Sequence, residues 1–177
     1  MQTYIDNGNG TISIDGMTIP KDGSNRHYQE FLQLQAGGEA ELVAPIVSLN
    51  DAISAKKSAI QNEKCRVRDA GFEVDGVLYD SDQAARIAYL ELADSLVADA
   101  SYATPWKASA GVWVTMTASL FAKVKAAGEV HVAAAFAWQA ARDAEVTTIQ
   151  AAVTAGTMTE ADALTAVAAV SAVYTTV

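Results

Sequence analysis

Cysteine is nearly missing from this chain. Cys65 is the only one among 177 residues, which excludes an intramolecular disulfide and makes a reducing compartment the simpler expectation. Excess positive charge is missing as well. Lys and Arg number 12 against 21 Asp and Glu, a net charge of −9, whereas a nucleic-acid surface needs clustered cations to neutralise phosphates. An anionic membrane surface is disfavoured for the same reason. The longest uncharged runs, such as Ala163 to Val177, reach about 15 residues and contain Thr and Ser. A bilayer span needs roughly 20 predominantly apolar residues, so no membrane segment is expected. The opening residues, MQTYIDNGNG, have neither a basic n-region nor an apolar h-region, so no signal peptide is expected there.

The signatures of catalysis are missing too. There is no Gly-rich phosphate loop, no Gly-x-Ser-x-Gly elbow and no His-Glu-x-x-His helix. His27 and His131 are the only histidines and have no ligand partner at helical spacing. His131, on an apolar helical face, is expected to be a hydrogen-bonded interior residue. Cys65 lies beside Lys64 and Arg66, which lower a thiol pKa in principle, but no base pairs with it in the pattern. Asn7-Gly8-Asn9-Gly10 suggests a calcium loop until Gly10 is aligned with that loop's obligatory glycine. The first and last ligand positions are then Ile5 and Gly16, neither a carboxylate. Asp80 and Asp82 read as helix-start acids rather than a divalent-ion site. No cofactor, no metal and no enzyme activity is expected.

What is present is small and apolar. Hydrophobic residues make up 51% of the chain, drawn largely from Ala and Val, so its helices can pack closely through small faces. The pattern predicts an α+β protein in successive parts. Residues 1–38 form a β-meander, with segments at Thr3–Ile5, Thr11–Ile14 and Met17–Ile19, followed by a short helix over Arg26 to Ala36. Ser24 or Asn25 caps that helix, and Gly37-Gly38 stops it. Residues 39–47, including Pro45, read as a linker.

Residues 48–116 read as helix, hairpin, helix, hairpin. The first helix runs from Ser48 to about Asp69 and ends at Gly71. The hairpin that follows pairs Phe72–Val74 with Val77–Tyr79 around Asp75-Gly76, the strongest short-range turn signal in the chain. Asp80 or Ser81 caps the next helix, where Ala85, Tyr89, Leu92 and Leu96 make one apolar stripe reaching toward Ala100. The second hairpin joins Pro105–Lys107 to Val112–Val114 through Ala108–Gly111. Residues 117–177 read as a C-terminal helical hairpin. Thr117 caps a long helix running to about Ala155, lined by Leu120, Val124, Ala127, His131, Ala134 and Trp138 and widened by Val132 and Phe136. Gly156 breaks it, and Thr157-Met158-Thr159-Glu160 reads as a capping box opening a last helix to about Tyr174. That helix can pack on its neighbour or join other subunits in a bundle.

Aromatic residues are the candidate partner anchors, because Tyr and Trp are enriched where one protein grips another. Tyr28, Phe31, Trp106, Trp113 and Trp138 are the candidate interface residues, set against a plainer reading of each as core or hairpin packing.

Two stretches resemble known proteins. IPKDGSNRHYQEFL, Ile19 to Leu32, is similar to the IPxDxxNxxYxxFL segment near the start of many small bacteriophage tail and tail-fibre assembly proteins. Gly23 stands where the commonest form of that segment has Pro. Residues from about 56 to 150 resemble a phage-encoded domain of unknown function found in the same proteins. That likeness rests on Gly71-Phe72-Glu73-Val74-Asp75-Gly76-Val77-Leu78-Tyr79-Asp80-Ser81-Asp82, on Trp106-Lys107 before Val112 to Thr117, and on Val130-His131-Val132 followed by Phe136. The chain after Gly156 lies outside the pattern.

The resemblance implies a non-enzymatic tail protein with one of two roles. It either helps a receptor-binding fibre fold and trimerise, or stays on the virion tail as a permanent structural subunit. The partner implied is a tail-fibre or other tail protein, with homo-oligomers allowed. The place implied is the host cytoplasm during assembly, and the virion tail for a resident subunit. A host-protein-binding module and an enzyme acting on a surface polymer are the competing classes; the second lacks paired carboxylates in an evident cleft.

Overall fold

The computed structural model describes residues 1–7, 9–44 and 47–175. The chain divides into two compact units, Met1–Ser48 and Leu49–Val177.

In the first unit, β1 (Gln2–Asp6), β2 (Thr11–Ile14) and β3 (Met17–Pro20) form the expected antiparallel meander. Alternation sends Tyr4, Ile12 and Ile19 to one face, where all three are buried. Helix α1 (Arg26–Ala36) covers that face with Phe31. Its cap is Asn25, whose side chain accepts the Tyr28 N–H at 3.2 Å.

The expected linker over residues 39–47 needs correction. Ala40–Val43 form β4, parallel to β1, giving the sheet order β3-β2-β1-β4. A parallel neighbour requires a crossover, and α1 is that crossover. Ala40 and Leu42 join the buried face, while Glu41 on the other face accepts a hydrogen bond from the Thr3 hydroxyl at 3.0 Å. Pro45 and Ile46 of that linker, and Gly8 of the first turn, lie outside the described residues.

The second unit runs α2 (Leu49–Arg68), β5 (Phe72–Val74), β6 (Val77–Tyr79), α3 (Gln83–Ala98), β7 (Thr104–Lys107), β8 (Trp113–Met116), α4 (Ala118–Thr154) and α5 (Glu160–Ala169). The β5–β6 turn has Asp75 at φ 51° and Gly76 at φ 79°, the two left-handed residues a two-residue hairpin turn demands. Thr117 caps α4 as expected.

Helix α4, 37 residues long, packs into two interiors. Its first half brings Phe121 and Val124 against Tyr79, Leu92 and Met116. Its second half brings Val146 against Ile53 and Ile60 of α2 and Val167 near the end of α5. The last helix therefore packs within its own chain. It ends at Ala169 rather than near Tyr174, and the Lys56 ammonium donates to the carbonyls of Ala168 and Val170 at 3.0 and 2.7 Å. A cation satisfying the final carbonyls of a helix compensates both the orphan acceptors and the negative end of the macrodipole.

Two caps fall elsewhere than expected. Asp82, not Asp80 or Ser81, caps α3, its carboxylate accepting the Ala85 N–H at 2.8 Å. Thr159, not Thr157, caps α5 by accepting the Asp162 N–H at 3.1 Å. Ser81 is freed for another task. It is 1% exposed, accepts the Gly71 N–H at 2.8 Å and donates to the Arg68 carbonyl, tying the end of α2 to the hairpin behind it. His131 of α4 reaches the same helix end, with Nε2 2.9 Å from the Val67 carbonyl.

Gly71 cannot be replaced cheaply at this junction. Its φ is +88°, and a Cβ there would sit 2.7 Å from the Tyr79 carbonyl oxygen.

Candidate interaction surface

The five aromatic candidates do not converge on one place. In the first unit, Phe31 is 2% exposed and its ring centroid lies 4.7 Å from that of Tyr4, so it is core. Tyr28 is half-buried and stacks on Phe31 at 6.0 Å. In the second unit, Trp106 is half-buried and stacks on Tyr89 of α3 at 5.2 Å. Trp138 is half-buried in α4 and meets the edge of Tyr174 at 5.8 Å. Trp113 alone among the five is presented outward, at 66% exposure. The pleat explains the contrast between the two hairpin tryptophans: Trp106 pairs with Val114, and Trp113 pairs with Lys107, one residue out of phase.

A larger apolar surface lies between α3 and α4, in a groove of about 670 Å³. Helix α3 is apolar on two sides. Tyr89, Leu92 and Leu96 turn inward as the spacing predicts, while Ile87, Leu90 and Val97 remain 50%, 68% and 88% exposed. A helix hydrophobic all round is ordinarily covered on both sides. Ile87 and Leu90 form one wall, Phe121 and Val132 contribute from α4, and Phe72 closes the floor. The floor is tight because α4 has Gly128 against it: a Cβ there would stand 3.0 Å from the Phe72 ring.

The groove's charged groups are partnered within the chain. Arg86 pairs with Asp69 at 2.8 Å and Lys125 with Glu129 at 3.4 Å. The Arg68 guanidinium, seconded by Arg86, holds the Asp69 carboxyl well below the usual carboxylate range. Tyr89 donates its hydroxyl to the Asp80 carbonyl at 3.1 Å, and burial pushes its phenol up to about 12, so it stays a neutral donor.

Along its outer side α4 carries a seam of small residues. Ala126, Val130, Ala133, Ala137, Ala140 and Ala144 recur in steps of four and three, and all are exposed. Ala133 lines the α3–α4 groove, and Ala144 lines a second groove of about 580 Å³ between α4 and α5. The repeat has the 3.5-residue period of helix-on-helix packing. Phe136, expected to widen the buried face, is 48% exposed instead and lies under the Lys64 ammonium at 4.6 Å.

Sequence reasoning missed Ile87, Leu90 and the α4 seam. The signal was available in the spacing, but both helices also carry a second apolar stripe, and a search for one buried face stops at the first found.

Among the described residues no three His, Cys, Asp or Glu side chains gather as metal ligands do, and no helix is long and apolar enough to cross a membrane. Cys65 is half-buried, with the Gln61 amide 3.6 Å from its sulfur. Chemically, then, the exposed features are suited to taking up apolar surface.

Fold and surface together define an α+β protein whose second unit offers grooved apolar faces. That unit carries the family signature: residues 51–168 match the domain of unknown function DUF4376, and the chain belongs to this family. No curated protein and no solved structure matches it.

Proposed function

We propose that the chain is a non-enzymatic bacteriophage tail protein that acts in assembly of the receptor-binding tail fibre, or remains attached to it. The observation that carries this reading is the apolar groove between α3 and α4, with Ile87 and Leu90 exposed on its wall. The likeness of Ile19–Leu32 to tail-protein segments supplies the context. An exposed apolar groove rimmed by charges is the kind of surface that marks a protein, membrane or ligand contact, and the acidic chain disfavours an anionic membrane. An assembly factor has to cover apolar surface on an incomplete fibre, and such a groove suits an amphipathic segment. The partner is thus a tail-fibre or other tail protein, met in the host cytoplasm during assembly.

Co-expression with the tail-fibre polypeptide of the same phage tests the reading. Fibre should become soluble and trimeric with this protein and not without it, and Leu90→Asp should remove the benefit. Equal yields of trimeric fibre in its absence count against it.

A second reading, a permanent subunit of the virion tail, is favoured by the α4 seam, since long helices with small-residue faces suit fixed symmetric contacts. Mass spectrometry of purified virions separates the two: stoichiometric presence supports the resident subunit, and absence supports the released assembly factor.

A further inference from the structure

We infer that Asn9 is a site of spontaneous deamidation, a covalent modification confined to the β1–β2 turn that converts this asparagine to aspartate and isoaspartate. In the reaction the Gly10 backbone nitrogen attacks the Asn9 side-chain carbon Cγ. A C–N bond forms, the bond from Cγ to the amide nitrogen breaks, and ammonia leaves with the Gly10 amide proton. The product is a five-membered succinimide. Water then adds to either of its two carbonyls, opening it to aspartate or to isoaspartate. Water is the only co-reactant, and nothing is oxidised or reduced.

Two asparagines in this chain precede glycine, Asn7 and Asn9, and the structure distinguishes them. The Asn7 amide is held at both ends: its nitrogen donates to the Thr11 hydroxyl at 2.9 Å and its oxygen accepts from the Ser13 hydroxyl at 3.2 Å. It is half-buried, and its backbone N–H donates to the Thr11 carbonyl at 3.1 Å. To react, the Asn7 side chain must first break these bonds. Asn9 is exposed, and its amide nitrogen donates to no described residue. Only its oxygen is engaged, accepting the Thr11 hydroxyl proton at 2.7 Å. That bond withdraws electrons from Cγ, the atom under attack, while the departing amide nitrogen has no partner among the described residues. The Thr11 hydroxyl itself accepts from Asn7, and a chain of hydrogen bonds of this kind polarises each of its members.

The nucleophile is equally accessible. Gly10 has no side chain to block the approach, sits at φ +81° in an exposed turn, and a Cβ there would meet nothing within 4 Å. The other asparagines are followed by bulkier residues: Asn25 precedes Arg26, Asn50 precedes Asp51 and Asn62 precedes Glu63.

The modification has a structural consequence. Isoaspartate inserts an extra methylene into the main chain and adds a negative charge between β1 and β2, where the Lys21 N–H donates to the Gly10 carbonyl at 2.8 Å.

The test is peptide mapping by mass spectrometry of the full-length folded protein after prolonged incubation in mildly alkaline buffer, with enzymatic methylation to detect isoaspartate. The expected result is amide-to-acid conversion at Asn9 well ahead of Asn7, and loss of the signal in Asn9→Gln. Thr11→Val should slow conversion at Asn9 several-fold, with Asn7→Gln read alongside as a control for disturbance of the turn. Conversion at Asn7 as fast as at Asn9, or an Asn9 that stays intact while a short peptide of the same sequence converts, would overturn the inference.

Discussion

Ser81 shows how much a single small side chain can carry. It is 1% exposed and joins the Gly71 N–H to the Arg68 carbonyl, so removing its hydroxyl takes away the acceptor of the half-buried Gly71 N–H, while the Arg68 carbonyl keeps only His131 Nε2 at 3.2 Å. Ser81→Ala should therefore lower stability by about 1–3 kcal/mol, the cost of an unmade buried hydrogen bond. Urea unfolding of the two proteins measures it. An unchanged midpoint would mean that water replaces the hydroxyl without loss.

Glu63 makes a second residue-level prediction. The Arg66 guanidinium, followed by the backbone N–H of Tyr174, lowers its pKa from the ordinary 4.5 to about 2. A carboxyl depressed in the folded state contributes stability above its unfolded pKa and loses that contribution as pH falls through the folded value. The contact with Tyr174 should thus weaken between about pH 4.5 and pH 2. Because the group is near solvent, the effect on stability is small. It is best followed through the fluorescence of Trp138, which touches Tyr174, with Glu63→Gln expected to flatten the pH dependence.

At the scale of elements, the two tryptophans of the β7–β8 hairpin should part company. Trp106→Ala removes a half-buried ring stacked on Tyr89 and should cost a few kcal/mol, toward the lower end of large-to-small core substitutions. Trp113→Ala, at a position 66% exposed, should leave the unfolding midpoint within about 0.5 kcal/mol of the parent. Matched thermal melts decide it, and equal losses would contradict the pairing register.

The β5–β6 hairpin shows what was readable beforehand. Turn chemistry is local, so Asp75-Gly76, the Thr117 cap, an α1 cap at Ser24 or Asn25 and the breaks at Gly71 and Gly156 could all be read from neighbours in sequence. Strand β4 could not. Ala40-Glu41-Leu42-Val43 becomes a strand because α1 returns it beside β1, a long-range pairing that four residues do not announce. Among the site residues, Phe31 and Trp138 follow their helical spacing inward. The exposure of Trp113 depended on a one-residue register between two short strands, which periodicity does not fix. Ile87 and Leu90 were hidden for a further reason: a helix with two apolar faces gives a weak amphipathic signal, however strong each face is.

The whole molecule is a small four-stranded unit and a helical unit whose interior is complete while its outside still shows apolar grooves. Its family membership rests on the second unit, where the groove proposed to act also lies, while the likeness to tail-protein segments lies in the first. If the groove is the contact surface, blocking it should abolish the activity while the rest of the second unit stays unchanged. Leu90 serves the purpose because it is 68% exposed, so Leu90→Asp should leave the melting temperature nearly unaltered while adding a charge to the groove wall. The most direct measurement is the yield of soluble, trimeric tail fibre on co-expression with the parent protein, with Leu90→Asp, or alone. Yield should be high with the parent and low with the variant or with no partner. The same yield in all three would contradict it.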